Sequence, residues 1–77
     1  MAEQKVVSVV VSESVAFTMP RITIEGKVDG RTLYTAQKTG EVWEFNLSGM
    51  HSRDTEMFFA IQEAMAQVNE RVKQISE

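Results

Sequence analysis

Between residues 52 and 76 the apolar side chains Phe58, Ile61, Met65, Val68, Val72 and Ile75 recur at spacings of three and four. That spacing places all six on one stripe of an α-helix. The start of the helix is written in Ser52, an N-cap residue, and in Asp54 and Glu56, whose negative charge suits the unpaired N–H groups of a first turn. Arg71 and Lys73 suit its last turns. A helix with one apolar stripe has to lay it on something, and the residues before 50 carry strand patterns. The expectation is therefore an α+β fold: an antiparallel sheet of about four strands in a meander, covered on one face by a single long C-terminal helix, with order ββββα.

The strands read as follows. Val6–Val11 is a β-branched run with apolar residues at both odd and even positions, as in a strand buried on two faces. Ser12-Glu13-Ser14 reads as a turn. Apolar residues then fall on odd positions at Phe17 and Met19 and on even ones at Ile22, Ile24 and Val28. Pro20 stands at the switch, so Ala16–Met19 and Arg21–Val28 read as one strand interrupted by a bulge. Asp29-Gly30 is a type I′ hairpin turn that pairs Val28 with Arg31, Gly26 with Leu33 and Ile24 with Thr35. For the next hairpin, a three-residue loop Lys38-Thr39-Gly40 with Gly40 left-handed sets Phe45 opposite Leu33. A two-residue Thr39-Gly40 loop would turn Trp43, Phe45 and Leu47 away from the core. The core face is then Ile22, Ile24, Val28, Leu33, Trp43, Phe45 and Leu47.

Size bears on function. A 77-residue chain makes one small domain whose single core is modest, and with no cysteine and one histidine, His51, neither disulfides nor a structural zinc site can staple it. Self-association is the remaining route. The composition, 43% hydrophobic and 25% charged, is that of a folded chain, and no run approaches the roughly 18 apolar residues of a membrane span. Without a signal-like N-terminal stretch, the expected location is the cytoplasm.

Three groups of residues are candidates for association. A helix of about 22 residues spans roughly 33 Å and a seven-residue strand roughly 24 Å, so the end of the helix should overrun the sheet and offer Met65, Val68, Val72 and Ile75 to a second copy or a partner. Val6 and Val10 need cover on the side of the sheet away from the helix. Tyr34 falls on that same outer side, where with Val42 it would complete a second apolar face.

Catalytic readings are weak. His51, Ser52 and Asp54 sit within one turn and cannot converge as a triad. Glu41 with Glu44, and Asp54 with Glu56, are placed as solvated acids are, and Gly26, Gly30, Gly40 and Gly49 form no phosphate loop. No catalytic residue, metal or cofactor is expected. The 11 acidic and 8 basic residues are dispersed, giving a net charge of −3, which disfavours nucleic acid. The expected function is that of a small non-catalytic protein-binding module that forms a homodimer: an adaptor, an inhibitor or an accessory protein, of a size that fits a bacterium or its phage. Two alternatives stand beside it. The topology is similar to that of dimeric single-strand-binding domains, and Tyr34 with Arg21, Lys27 and Arg31 would supply one stacking ring and cations on the sheet. The other is a structural subunit of a symmetric assembly or virion.

Overall fold

The computed structural model describes residues 5–48 and 55–76. Four strands, β1 (Val7–Ala16), β2 (Met19–Val28), β3 (Arg31–Thr39) and β4 (Val42–Leu47), form one antiparallel sheet in the order β1-β2-β3-β4, and the helix α1 (Thr55–Ser76) packs on one face of it. This is the expected ββββα α+β fold. Ser52 and Asp54, the expected start of the helix, and His51 lie outside the described residues.

Three tight hairpins make the meander. At the first, Ala16 pairs with Met19 around Phe17 and Thr18, both at positive φ (53° and 68°). The turn expected at Ser12-Glu13-Ser14 is instead the middle of β1. Ser8, Ser12 and Ser14 are even-numbered and lie on the polar outer side of the sheet, whereas Val7, Val9, Val11 and Val15 are odd-numbered and lie on the helix side. The bulge expected at Pro20 is absent too. Pro20 pairs with Val15 in regular register, and its carbonyl accepts from Gly40 N at 3.2 Å, where β3 has ended. A missing N–H there costs the ladder nothing. The phase change that suggested a bulge arises because Phe17 is in the turn and Met19 is on the outer side.

The second turn is the Asp29-Gly30 pair, at φ 53° and 82° as a type I′ turn requires, with Val28 opposite Arg31. Asp29 also ties down the strand entry: Val6 N donates to its Oδ1 at 2.9 Å, and its own N–H donates to the Val6 carbonyl at 2.8 Å. Beyond this turn the register departs from expectation. Lys27 faces Thr32 but Gly26 faces Tyr34, so Leu33 is an extra residue in β3. This bulge sends two successive side chains, Leu33 and Tyr34, into the core. Tyr34 is therefore buried under the helix, not displayed on the outer side.

The third hairpin has a two-residue loop, Gly40-Glu41, closed by Thr39 and Val42, rather than the expected three-residue loop. Gly40 alone takes positive φ (60°), the pattern of a type II′ turn. Trp43, Phe45 and Leu47 pair with Lys38, Ala36 and Tyr34 and so do face the helix side. The bulge at Leu33, not the loop, makes the phase change that brings them there.

Two neighbouring clusters fill the space between the layers. Val28, Leu33, Ala60, Ile61 and Ala64 form one, with Val7, Leu47, Met57 and Met65 around it. Ile24, Tyr34, Ala36 and Val68 form the other, with Val9, Ile22, Trp43, Val72 and Ile75 around it. The helix comes closest at Gly26, where a Cβ would stand 2.9 Å from Val68 Cγ2. The expected overrun of the helix does not occur. β1 and β2 have ten residues each, roughly the 33 Å of the helix, so Val72 and Ile75 still find sheet beneath them. The exposed part is the β1–β2 hairpin tip instead, where Val15 and Phe17 are 73% and 94% exposed.

Candidate protein-docking groove between the helix and the β4 edge

The seam of α1 lies on β1, β2 and β3, and β4 extends past it. A groove of about 430 Å³ opens between the helix and the end of the last strand. Phe58, Ile61, Met65 and Ala66 form its helix wall, Leu47 its floor, and the uncharged amides Gln62 and Asn69 its rim. Tyr34 reaches across beneath it and donates from its hydroxyl to Asn69 Oδ1 at 3.2 Å. Burial pushes the Tyr34 phenol above its ordinary pKa of 10.0.

An aromatic row runs from Tyr34 on β3 along β4. Tyr34, Phe45 and Trp43 are stacked in sequence, with centroids 6.4 Å and 6.1 Å apart and planes within 20° and 16°. The Lys38 ammonium stands 6.0 Å from the centre of the Trp43 ring and closes the row. Phe45 in this row is 52% exposed, and Phe58 on the helix wall of the groove is 45% exposed. Phe59 adds a further exposed ring, edge-on to Phe58 at 5.8 Å.

Backbone groups complete the site. In a two-residue hairpin the closing pair exchanges its hydrogen bonds, and every second pair after it does the same. Val42, Glu44 and Asn46 therefore spend their N–H and C=O groups on β3, a phase continued by the 2.9 Å bond from Ser48 N to the Leu33 carbonyl. Trp43, Phe45 and Leu47 point theirs outward, along the open edge beside the groove.

The residues expected to mediate association are dispersed by the fold. Val68 is fully buried and Tyr34 nearly so; Met65, Val72 and Ile75 are half-buried in the chain's own core, Met65 also lining the groove. Val6 and Val10 are exposed at the β1 edge. What the sequence reading missed is Phe45 and Phe58, both assigned to the core on spacing alone. Spacing does locate each on the helix-facing side, but not the distance by which β4 passes the helix. The outer face of the sheet carries Thr23, Glu25, Lys27, Thr32 and Gln37, partly tied together by Lys27–Glu25 at 3.6 Å and Gln37–Thr23 at 3.4 Å. With Tyr34 turned inward, that face has, among the described residues, no ring on which a base would stack.

Among the described residues there is no group of three or more side chains placed to hold a metal, and no helix is long and apolar enough to cross a membrane. The sequence matches no protein-family model, and comparisons with curated proteins and with solved structures find no match.

Proposed function

We propose that this chain is a small non-catalytic protein-binding module that also associates with itself, and that its partner site is the α1–β4 groove. The observation that carries the reading is the juxtaposition of an open strand edge with an apolar groove: Trp43, Phe45 and Leu47 direct backbone groups outward along β4, and Leu47 at the end of that edge lines the groove with Phe58, Ile61 and Met65. An extended segment of another protein added along β4 would take its affinity from main-chain hydrogen bonds. Its selectivity would come from alternate side chains, which drop into the groove. Because the rim is made of neutral amides, the segment is apolar and uncharged at those alternate positions.

Selection of displayed twelve-residue peptides on the immobilised protein tests this. Peptides with apolar residues at alternate positions should be enriched on the wild type and lost on a Phe45→Ser, Phe58→Ser double variant that retains its far-ultraviolet spectrum. If the two proteins select the same peptides, or neither selects any, the groove is not the site. Two exposed rings of this kind are the sort of anchor whose truncation costs roughly 2 kcal/mol or more in binding.

A further inference from the structure

Strand β1 is the other open edge of the sheet, and it is the longer one: ten residues, without proline, lysine or bulge, and with one charged side chain, Glu13, toward its far end. Ala16 and Met19 close the first turn, and Asp29 N donates to the Val6 carbonyl, so even-numbered residues of β1 bond to β2. The odd-numbered ones, Val7, Val9, Val11, Glu13 and Val15, direct their N–H and C=O groups to the open side.

We infer that a second copy of this chain pairs with β1 edge to edge, antiparallel about a two-fold axis at Val9, and joins the two sheets into one of eight strands. This inference rests on the self-association reading above and names its surface. The register is chosen by the side chains. Pairing Val9 with Val9 of the second copy sets Val7 opposite Val11, Ser8 opposite Val10, and Glu13 opposite Lys5, which in the single chain lies 3.8 Å from Asp29. Shifting the axis to Val10 or Val11 sets Glu13 opposite Val7 or Val9, and shifting it to Glu13 sets two carboxylates face to face. A slip by one residue is excluded because it would mismatch both the faces and the hydrogen-bonding phase.

The helices support the same axis independently. A two-fold normal to the sheet leaves both helices on one face, running antiparallel. Val9 pairs with Gly26, and Gly26 lies under Ala64 and Val68, so the axis passes beside the middle of α1. With α1 centred near β2, its axis is about one and a half strand spacings from the two-fold, which puts the two helix axes roughly 14 Å apart. That is too far for apolar packing but within reach of long side chains. The groove residues Phe58, Gln62 and Asn69 mark the β4 side of the helix, which leaves Glu63, Gln67 and Arg71, all exposed, on the β1 flank. About an axis near Gln67, Glu63 faces Arg71 of the second copy, twice by symmetry. Both α1–β4 grooves remain open at the two ends of the dimer, so the assembled protein would be bivalent.

Sedimentation equilibrium of the intact chain at 5 to 100 µM, approximate concentrations set by the micromolar affinity of a modest interface, tests the assignment. Three variants accompany the wild type. Val11→Pro removes an outward N–H that no bond within the chain uses. Glu63→Arg and Arg71→Glu each place like charges across the axis, and should weaken association roughly five- to tenfold at low salt, given the small worth of exposed ion pairs. The inference expects a dimeric wild type, a monomeric but folded Val11→Pro, and recovery of the dimer when Glu63→Arg and Arg71→Glu are combined in one chain. Recovery is the discriminating result, because the two side chains are eight positions apart on one helix and do not meet within a copy. A wild type that stays monomeric overturns self-association itself. A dimer indifferent to Val11→Pro and to both charge reversals, or one that the combined reversal fails to restore, keeps self-association and overturns the β1 surface.

Discussion

Gly26 sets how closely the two layers of this protein approach. A Cβ at that position would meet Val68 Cγ2 at 2.9 Å and the Ala64 Cβ and carbonyl oxygen at 3.3 Å, and the backbone oxygen cannot move aside. Gly26→Ala should therefore destabilise the fold by about 1–3 kcal/mol, the usual cost of overpacking. Combining it with Val68→Ala should cost less than the sum of the two single changes, since the new methyl enters the space that Val68 vacates. Urea denaturation of the four proteins in the cycle measures this coupling; strict additivity would mean that the helix does not rest at Gly26. Phe17 is strained in a different way. It holds φ 53° while 94% exposed, and Thr18 beside it holds φ 68°, so nothing in the chain's own packing repays the conformation. Phe17→Asn with Thr18→Gly, the pair a type I′ turn favours, should raise stability by about 1 kcal/mol, read as an increase in the urea midpoint.

At the scale of single elements, the bulge in β3 decides the most. It turns Tyr34 inward, where its hydroxyl donates to Asn69 and its phenol resists ionisation because burial disfavours the charge. The folded pKa lies above the unfolded one, so the native state holds its proton longer. The associated stability is complete below about pH 10, the usual tyrosine value, and falls as pH rises from there through the folded pKa. Melting temperatures between pH 8 and 11.5 should thus drop more steeply in the wild type than in Tyr34→Phe. Equal slopes would place Tyr34 in solvent. Strand β4 behaves differently. As an edge strand with Phe45 half outside, it should tolerate Phe45→Ser at a cost of about 1 kcal/mol, well below the 3–5 kcal/mol of truncating a buried phenylalanine. Chemical denaturation separates the two cases.

The whole molecule is drawn out, measuring 49 × 22 × 16 Å with a radius of gyration of 13.5 Å. A compact chain of this length would have a radius nearer 11.5 Å. The excess fits a long first hairpin whose tip stands clear of the core and a helix as long as the strands it covers. Such a shape buries little per residue: among the described residues two adjoining clusters contain the core, while ten large apolar side chains, among them Val11, Val15, Phe17, Phe45 and Phe58, stay substantially exposed. An exposed apolar complement of this kind is what an association surface looks like before it is covered. On this argument the stability of the chain depends on its concentration. The urea midpoint should rise measurably between about 2 µM and 200 µM protein, as mass action requires of a dimer that dissociates on unfolding; a midpoint independent of concentration would remove the link between the small core and self-association.

By itself the sequence determined the elements whose signals are local. The stripe from Ile61 to Ile75 made a helix, and Asp29-Gly30 made a turn because positive φ is cheap for those two residues. Alternation assigned Ile24 and Val28 to the core side. Whatever depended on counting across strands was left to the tertiary structure. One inserted residue, Leu33, reverses the facing of everything after it without altering any local propensity, so the inward turn of Tyr34 and the short Gly40-Glu41 loop became visible only with all four strands in register. The same holds for Phe45 and Phe58. Their faces follow from periodicity, but their exposure follows from the lateral seat of α1 over β1, β2 and β3, which Gly26 fixes by admitting the helix there and which leaves Phe45 on β4 half outside its cover.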